Sequence, residues 1–421
     1  MAPVVFISVG LGIDYSMASS DRTRLNGAAD SAVLGAITAA KLYYATNSGN
    51  MSESALEAGA IAAGQAAGVN MFKGNSTSTL LVQAIVPTVT VTYSNLSFKA
   101  VINWSGEVGT HILPLIGVNQ IGIGGTATAV GGLPKYIDFA MIVDTSGSMG
   151  IPVDSDNQQL LREVNPDNPI MAADGYSGGC QFACHFAGYQ GYNYAESHSI
   201  PLKLDSVGQS FQSFFSTATA NKVINNQFRV GIYPFIDDLI QAAPLASDFT
   251  AAKTVATNLG TYLDAGGSNG GMGSGGTHFE RIASDFQPYM EQSGTGLSSD
   301  SPLPFMILIT DGVDNSQFYT NGNFTGSHPQ TATTTICAAA KAAGYTVAVI
   351  LIPYAPIVDP QPIWNDEDGV VNELLNTDAI KPIMQNCASA GYFFNADSSA
   401  AITSAMQTIF YQATGLVNLT K

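Results

Sequence analysis

Three segments of the chain carry oxygen-bearing side chains at positions where they can bind a ligand. Asp144, Ser146 and Ser148 occupy every second position directly after an apolar, strand-like run. Thr277 follows two glycines, and Asp311 closely follows a second apolar run. In open α/β sheets, ligands bind at the carboxyl ends of the strands. We therefore expect these three segments to meet at one edge of a sheet.

The chemistry of this set favours a hard metal ion. Two carboxylates and three hydroxyls offer only oxygen ligands, which Mg²⁺ prefers, with Ca²⁺ or Mn²⁺ as alternatives. Some of these side chains can reach the ion through water, which leaves room for an outside ligand such as a partner's carboxylate. The alternative interpretation is that Thr145–Ser148 is an ordinary polar turn.

The motifs themselves resemble those of a known family. An Asp-x-Ser-x-Ser strand end, a threonine after Gly-Gly and a Thr-Asp-Gly strand end are similar to the metal-ion-dependent adhesion site of von Willebrand factor A domains. The resemblance covers residues 134–421 and is interrupted by an unusual insertion at residues 150–200. It implies a Rossmann-like fold and these metal ligands: Asp144, Ser146, Ser148, Thr277 and Asp311.

Short apolar runs alternate with helical patterns in the same part of the chain. Such alternation predicts a doubly wound, mainly parallel sheet with right-handed crossovers, which is an α/β fold. We expect this domain at residues 133–421, including the insertion at 150–200. Its predicted strands are Tyr136–Val143, Phe228–Phe235, Phe305–Ile309, Thr346–Pro353 and Tyr392–Ala396.

The residues before this domain predict a long helix followed by a small module. The stretch up to residue 48 has almost no helix breakers after its apolar start, so we expect an N-terminal helix at residues 1–48. A further Ala-rich helix and then alternation of β-branched residues predict a helix and an antiparallel β-sheet. This second module is expected at residues 49–132.

The first residues raise the question of a membrane anchor. Residues 2–13 are largely apolar, but a spanning helix needs about 20 such residues. We expect a truncated membrane segment here, with a short buried strand or helix as the alternative. The following residues 14–34 are similar to the pilin-like helix of TadE/TadG-type proteins of bacterial Flp (Tad) pilus assembly. Four charged residues of this anchor helix are candidate functional residues: Asp14, Arg22, Arg24 and Asp30.

Four cysteines allow three disulfide pairings in an oxidising compartment. The simplest scheme pairs Cys180 with Cys184 and Cys337 with Cys387. For the first pair a zinc site is the alternative, and for the second pair two buried thiols.

Composition limits the classes of function. The chain has 421 residues, of which only 11% are charged, and its net charge is −17. A nucleic-acid partner is not expected, because phosphate binding needs a concentrated cationic surface. Low charge with abundant Gly, Ser, Thr and Asn is typical of an exported protein. The chain has no Gly-x-Ser-x-Gly nucleophile elbow at the end of an apolar strand, and it carries no His-Glu-x-x-His or phosphate-loop motif, so we do not expect an enzyme.

TadG-like proteins combine the pilin-like helix with a C-terminal von Willebrand A domain, and this sequence resembles them in both parts. The resemblance implies a minor pilin or tip adhesin in the bacterial cell envelope that binds a protein or surface ligand at the metal site. Other pilins or pilus-assembly proteins are the expected partners of the N-terminal helix, which would lie in the inner membrane before assembly. The alternatives are a structural subunit whose metal only stabilises the fold, and a metal-assisted hydrolase that uses His278 as a base.

Overall fold

The computed structural model describes residues 2–76, 82–173, 178–184, 188–264, 276–320, 323–325, 329–354, 356–357 and 367–415. The chain forms two compact units. The first comprises Met1–Pro134 with Val223–Asn225, and the second comprises Lys135–Lys222 with Asn226–Lys421. The predicted boundary between residues 48 and 49 lies inside the first unit.

Two helices begin the first unit. Helix α1 covers Ala2–Asn47 and helix α2 covers Glu53–Ser76. At about 1.5 Å per residue, α1 is roughly 70 Å long, so the predicted long N-terminal helix is confirmed. Glycine lets the two helices approach closely: a Cβ at Gly64 would lie 2.9 Å from the carbonyl oxygen of Ala36 and 3.1 Å from Ala40 Cβ. Among the described residues, no helix is both long enough and apolar enough to cross a bilayer.

The predicted antiparallel sheet completes the first unit. Its strands pair in the order β1 (Val82–Ser94), β2 (Ser97–Gly109) and β3 (Gln120–Gly132). Asn95 and Leu96 form the tight turn between β1 and β2, with φ values of 50° and 54°, as two-residue hairpin turns require. In β2, buried and exposed side chains alternate, because successive residues of a strand face opposite sides.

A mainly parallel sheet forms the centre of the second unit and confirms the predicted fold class. Its strand order is β13-β12-β7-β4-β5-β6 over the described residues, and β6 alone among these is antiparallel to its neighbour. The strands are β4 (Ile137–Asp144), β5 (Phe228–Phe235), β6 (Ala243–Ala246), β7 (Leu303–Thr310), β12 (Thr346–Leu351) and β13 (Phe393–Asn395).

The helices of this unit connect the strands. They are α3 (Ser155–Val164), α4 (Asn168–Ala173), α5 (Gly191–Ser197), α6 (Lys203–Asn221), α7 (Thr250–Thr257), α8 (Phe279–Phe286), α9 (Thr335–Ala342), α10 (Glu367–Asn376), α11 (Ile380–Cys387) and α12 (Ser399–Thr414). Short strands follow β7 at β8 (Val313–Asp314), β9 (Phe318–Thr320), β10 (Asn323–Thr325) and β11 (Gln330–Thr331). Helices α3–α5 lie within the predicted insertion.

Apolar side chains cover both faces of the central sheet. Every residue of β4 is buried. Phe139 packs on one face with Phe214 and Phe410, whereas Ile142 packs on the other face with Phe279. A strand enclosed on both sides has little freedom to move. The carboxyl end of β4 is therefore a rigid support for the residues that follow it.

The structure agrees with one of the two expected disulfides. Cys337 of α9 and Cys387 of α11 are bonded, with their Cα atoms 5.3 Å apart. Cys180 and Cys184 are instead free, buried thiols. A hydrogen bond from Cys180 and burial together raise the pKa of the Cys184 thiol well above its usual range. Since two apolar thiols pack well without a bond, the sequence spacing alone was a poor guide to this pair.

Candidate metal-binding site

The turn after β4 carries three of the predicted ligands. β4 ends at Asp144, and a short 3₁₀ helix at Gly147–Gly150 turns the chain immediately afterwards. The backbone N–H and the hydroxyl of Ser146 both donate to Asp144 Oδ1, at 3.0 and 2.7 Å. The Oγ atoms of Ser146 and Ser148 lie 3.0 Å apart. The turn thus gathers one carboxylate and two hydroxyls within hydrogen-bonding distance of one another.

The adjacent strand β7 adds the second carboxylate. Thr310, its last residue, donates from Oγ1 to Asp144 Oδ2 at 2.6 Å. Asp311 follows, and Gly312 then turns the chain away with a φ of 82°. The N–H of Gly312 donates to Thr310 Oγ1 at 2.9 Å, which fixes this turn. β4 and β7 are paired in parallel, so their carboxyl ends meet at the same edge of the sheet, as the sequence predicted.

Thr277 is buried beside the loop that leaves Asp311. Its N–H donates to the carbonyl oxygen of Asn315 at 2.7 Å, and its own carbonyl accepts from the Asn315 N–H at 3.0 Å. The glycine-rich residues 265–275 that precede it lie outside the described part of the chain. Its hydroxyl remains a predicted ligand.

A lysine that the sequence analysis did not identify lies among these groups. Lys203, the first residue of α6, donates from Nζ to Asp311 Oδ2 at 3.2 Å. Its side chain is 1% exposed, and its ammonium lies 3.8 Å from the centre of the Tyr354 ring. The Tyr354 hydroxyl is close to both Ser148 and Asp311. The site therefore contains a cationic side chain as well as its two carboxylates.

Burial dominates the electrostatics of the site. Burial and, after it, the negative charge of Asp311 together raise the pKa of the Asp144 carboxyl to about 7, against hydrogen bonds from Thr310 and Ser146. Burial also lowers the pKa of the Lys203 ammonium, while Asp311 opposes that change. Loss of water destabilises the charged form of both groups. A nearby opposite charge stabilises it again, and a carboxylate is also stabilised by hydrogen-bond donors.

The residues present fit a hard divalent cation. Asp311 Oδ1 is buried, and no described donor reaches it in hydrogen-bonding geometry. A buried carboxylate oxygen without a donor is costly, and a cation relieves that cost. Within the described residues, no three His, Cys, Asp or Glu side chains are grouped closely enough to hold a metal. A cation at this position would therefore depend on serine and threonine oxygens as well, which suit Mg²⁺ better than Zn²⁺.

His278 does not provide the free base that the hydrolase alternative needs. The imidazole is fully buried, with Nδ1 2.7 Å from Glu280 Oε1 and Nε2 2.8 Å from the carbonyl oxygen of Gln317. Nε2 also lies 3.6 Å from Asp237 Oδ1. Both ring nitrogens lie within hydrogen-bonding distance of acceptors inside the protein, so the imidazole is held by the fold and does not face open solvent.

The predicted charged residues of the anchor helix have different surroundings. Asp14 is buried, and its carboxylate accepts from the backbone N–H groups of His111, Ile112 and Leu113 at 2.9–3.0 Å. Arg22 Nε donates to the Gly124 carbonyl oxygen at 3.1 Å. Asp14 and Arg22 thus attach the helix to the β2–β3 connection and to β3.

The other two predicted residues of the anchor helix, Arg24 and Asp30, are less constrained. Arg24 lies on the exposed surface, 4.0 Å from Asp21. Asp30 is also exposed. Exposed charges of this kind contribute little to stability.

The sequence analysis did not predict three residues of the site, each for a different reason. Thr310 belongs to the Thr-Asp-Gly strand end, but the sequence analysis predicts a role only for Asp311 of that motif. Lys203 stands among apolar neighbours, in Ile-Pro-Leu-Lys-Leu, and that setting was a signal of burial. Tyr354 lies far along the chain, and nothing in its local sequence links it to the site.

The N-terminal part of the chain matches a known protein family. Residues 1–41 match the family model for Flp pilus-assembly, TadE/G-like proteins. The match ends inside α1 and supports the resemblance predicted for the N-terminal helix. A comparison with curated proteins finds no match.

Among solved structures, a minor pilin, a pilus adhesin and a conserved hypothetical protein are distantly similar. The PilB minor pilin from Streptococcus sanguinis is 10% identical, with 80% of this chain and 79% of that chain covered and a TM-score of 0.36. The SpaC pilus adhesin from Lactobacillus rhamnosus GG is 14% identical, with coverage of 78% and 34% and a TM-score of 0.32. BatB from Bacteroides thetaiotaomicron is 16% identical, with coverage of 66% and 98% and a TM-score of 0.32. This chain spans about a third of the length of SpaC, and likenesses this distant say nothing about its function.

Proposed function

We propose that the protein is a pilus-associated component of the bacterial cell envelope that binds an acidic partner through a divalent cation. The first unit would associate with other pilus proteins through α1. The second unit would hold the cation at its sheet edge and present it to the partner. The proposed ligands are Asp144, Ser146, Ser148, Thr277 and Asp311.

The family match supports the pilus context. It covers residues 1–41 and so falls on the long helix that begins the first unit. The charged residues Asp14 and Arg22 of this helix hold it to the rest of the unit. A helix fixed in this way can present its remaining exposed surface to other subunits.

The observation that carries the metal-dependent part is Asp311 Oδ1. This oxygen is buried without a donor in hydrogen-bonding geometry among the described residues, beside the Asp144 turn. Natural structures rarely leave such an atom unsatisfied unless it serves a ligand. A cation bound there would supply a Lewis-acidic position for a carboxylate of the partner.

The residues of the site divide this work between them. Asp144 and Asp311 would supply negative charge, and the serine hydroxyls would complete the oxygen set. Thr310 holds Asp144 Oδ2 and so orients Oδ1 towards Ser146. Because β4 and β7 are rigid, the ligands need little rearrangement on binding.

Calorimetric titration of the full chain with Mn²⁺ tests the metal site. We expect the wild type to bind Mn²⁺ and Asp144→Ala to lose binding. Asp156→Ala removes the same charge from an exposed position and should bind as the wild type does. Equal binding by all three proteins would contradict the assignment.

The partner chemistry can be tested with immobilised poly-L-glutamate. We expect the wild type to be retained in Mg²⁺ and released by EDTA, and Asp144→Ala not to be retained. Retention that persists in EDTA would exclude a cation bridge.

A structural subunit is the second candidate, and the Lys203–Asp311 ion pair favours it. This pair compensates part of the negative charge without any metal. In that case Mn²⁺ would raise the unfolding temperature, but poly-L-glutamate would not retain the protein even in Mg²⁺.

A further inference from the structure

Lys203 occupies a position that is unfavourable for a cation. It is the first residue of α6, a 19-residue helix, and the positive end of the helix dipole lies there. Its side chain is buried between apolar neighbours, since Leu202 and Leu204 are also buried. A charge removed from water at such a place needs a close counter-charge to be tolerated. Asp311 is that counter-charge, at 3.2 Å.

The two oxygens of Asp311 have different roles. Oδ2 accepts from Lys203, while Oδ1 has no donor in hydrogen-bonding geometry among the described residues. Tyr354 covers the ammonium with its ring and reaches Ser148 and Asp311 with its hydroxyl. A metal at Oδ1 and the ammonium at Oδ2 can therefore share one carboxylate, at the cost of repulsion between two cations.

We propose that Lys203 is a tethered counter-ion that sets the metal affinity of the site. Without metal, it neutralises one of the two carboxylates and keeps the empty site stable. When a divalent cation enters, Lys203 repels it and so weakens binding. The inference rests on the proposed metal site but concerns a residue that is not one of its ligands.

The test compares Mn²⁺ binding to the full-length wild type and to Lys203→Met, which keeps the length of the side chain and removes its charge. We expect Lys203→Met to bind Mn²⁺ roughly tenfold more tightly or better, because a unit charge a few ångströms away acts strongly in a buried site. Lys381→Met is the matched control. Lys381 is exposed and borders the same cavity as Asp311, so its loss should leave the affinity unchanged.

Thermal unfolding provides a readout that does not need the loaded site. In EDTA, Lys203→Met should unfold at a lower temperature than the wild type, because Asp311 is left buried without its partner. Mn²⁺ should raise the unfolding temperature of Lys203→Met by more than it raises that of the wild type. Equal shifts in the two proteins would overturn the inference.

The outcomes separate this inference from the proposed function. If the wild type binds Mn²⁺ and Lys203→Met binds no more tightly, the counter-ion role is wrong and the metal site stands. If only Lys203→Met binds, the counter-ion role is supported and metal-dependent binding by the natural protein is contradicted. If neither binds, both are wrong. Should Lys203→Met not fold, Lys203→Gln, whose amide can still donate to Asp311, should show the same tightening.

Discussion

The two units each bury aspartate carboxylates but satisfy them in different ways. In the first unit, Asp14 accepts three backbone N–H groups from the segment after β2. In the second unit, Asp144 and Asp311 lie near each other, with Lys203 as their cation and one Asp311 oxygen without a donor among the described groups. Among the described residues, the first arrangement has a donor for both carboxylate oxygens, whereas the second leaves one oxygen without a donor in hydrogen-bonding geometry.

The partners of a buried carboxylate distinguish a structural role from a ligand-binding role better than its degree of burial does. Three N–H donors stabilise the charged form of Asp14, so its pKa falls although burial alone raises it. Asp144 has its pKa raised by burial and by Asp311. A carboxylate whose charge is opposed by its surroundings has free energy to gain from an added cation.

The largest effect is expected when the buried ion pair of the second unit is broken. Asp311→Ala leaves the Lys203 ammonium buried and unpaired, which should lower the free energy of unfolding in EDTA by about 3–5 kcal/mol. Hydrogen exchange of the β7 amides reports this change locally.

The double variant Lys203→Met/Asp311→Ala checks that the loss comes from the pair. It should be destabilised by less than the sum of the single variants, since neither charge remains alone. Strict additivity would mean that the two side chains do not interact.

Removal of the disulfide tests whether the second unit can lose stability while the Mn²⁺ affinity of its site stays the same. Cys337→Ala/Cys387→Ala opens a link between residues 50 apart, and we expect a loss of about 2–4 kcal/mol. Urea unfolding measures it, and Mn²⁺ affinity should not change. Cys180→Ala/Cys184→Ala is the control and should cost less, because these thiols are free. An equal cost would favour the second bridge that the sequence predicted.

A smaller and local effect is expected in the first unit. Asp14→Asn removes the charge that the N–H groups of His111, Ile112 and Leu113 share. These amides should exchange faster with solvent, while the β7 amides of the second unit are unaffected. Asp30→Asn, an exposed change on the same helix, should alter neither set. If Asp30→Asn had the same effect, the hydrogen bonds of Asp14 would not be the cause.

The two regions should also respond to pH in opposite directions. Because the folded pKa of Asp14 is lowered, its contribution is present above the ordinary value of 3.8 and is lost as pH falls below it. The folded pKa of Asp144 is raised to about 7, so its protonated form stabilises the metal-free second unit, and that contribution is lost as pH rises through 7.

Hydrogen exchange in EDTA between about pH 2 and 8, corrected for intrinsic rates, measures both trends. The β7 amides should become less protected towards the upper end of this range, and Asp144→Asn should remove that trend. If the protection of both units changed with pH in the same direction, the different hydrogen bonding of their carboxylates would not explain the response.

Much of the fold could be predicted because its strands are continuous apolar runs. The range predicted for β5, Phe228–Phe235, is the observed one, and β4 and β7 differ from their predictions by only a few residues. The short antiparallel strand β6 and helix α7 were not predicted. A strand of four residues at a sheet edge has too few side chains to show a period.

The sequence alone determined which carboxylates and hydroxyls follow the strands, since a strand ends where its apolar run ends. It also determined the long N-terminal helix, because helix propensity and small residues act locally along the chain. Only the tertiary structure decided that Lys203 and Tyr354 join the site and that Asp14 meets the segment after β2. These contacts connect residues 99 to 151 positions apart. A charge buried by such distant packing leaves no periodic pattern in its own neighbourhood.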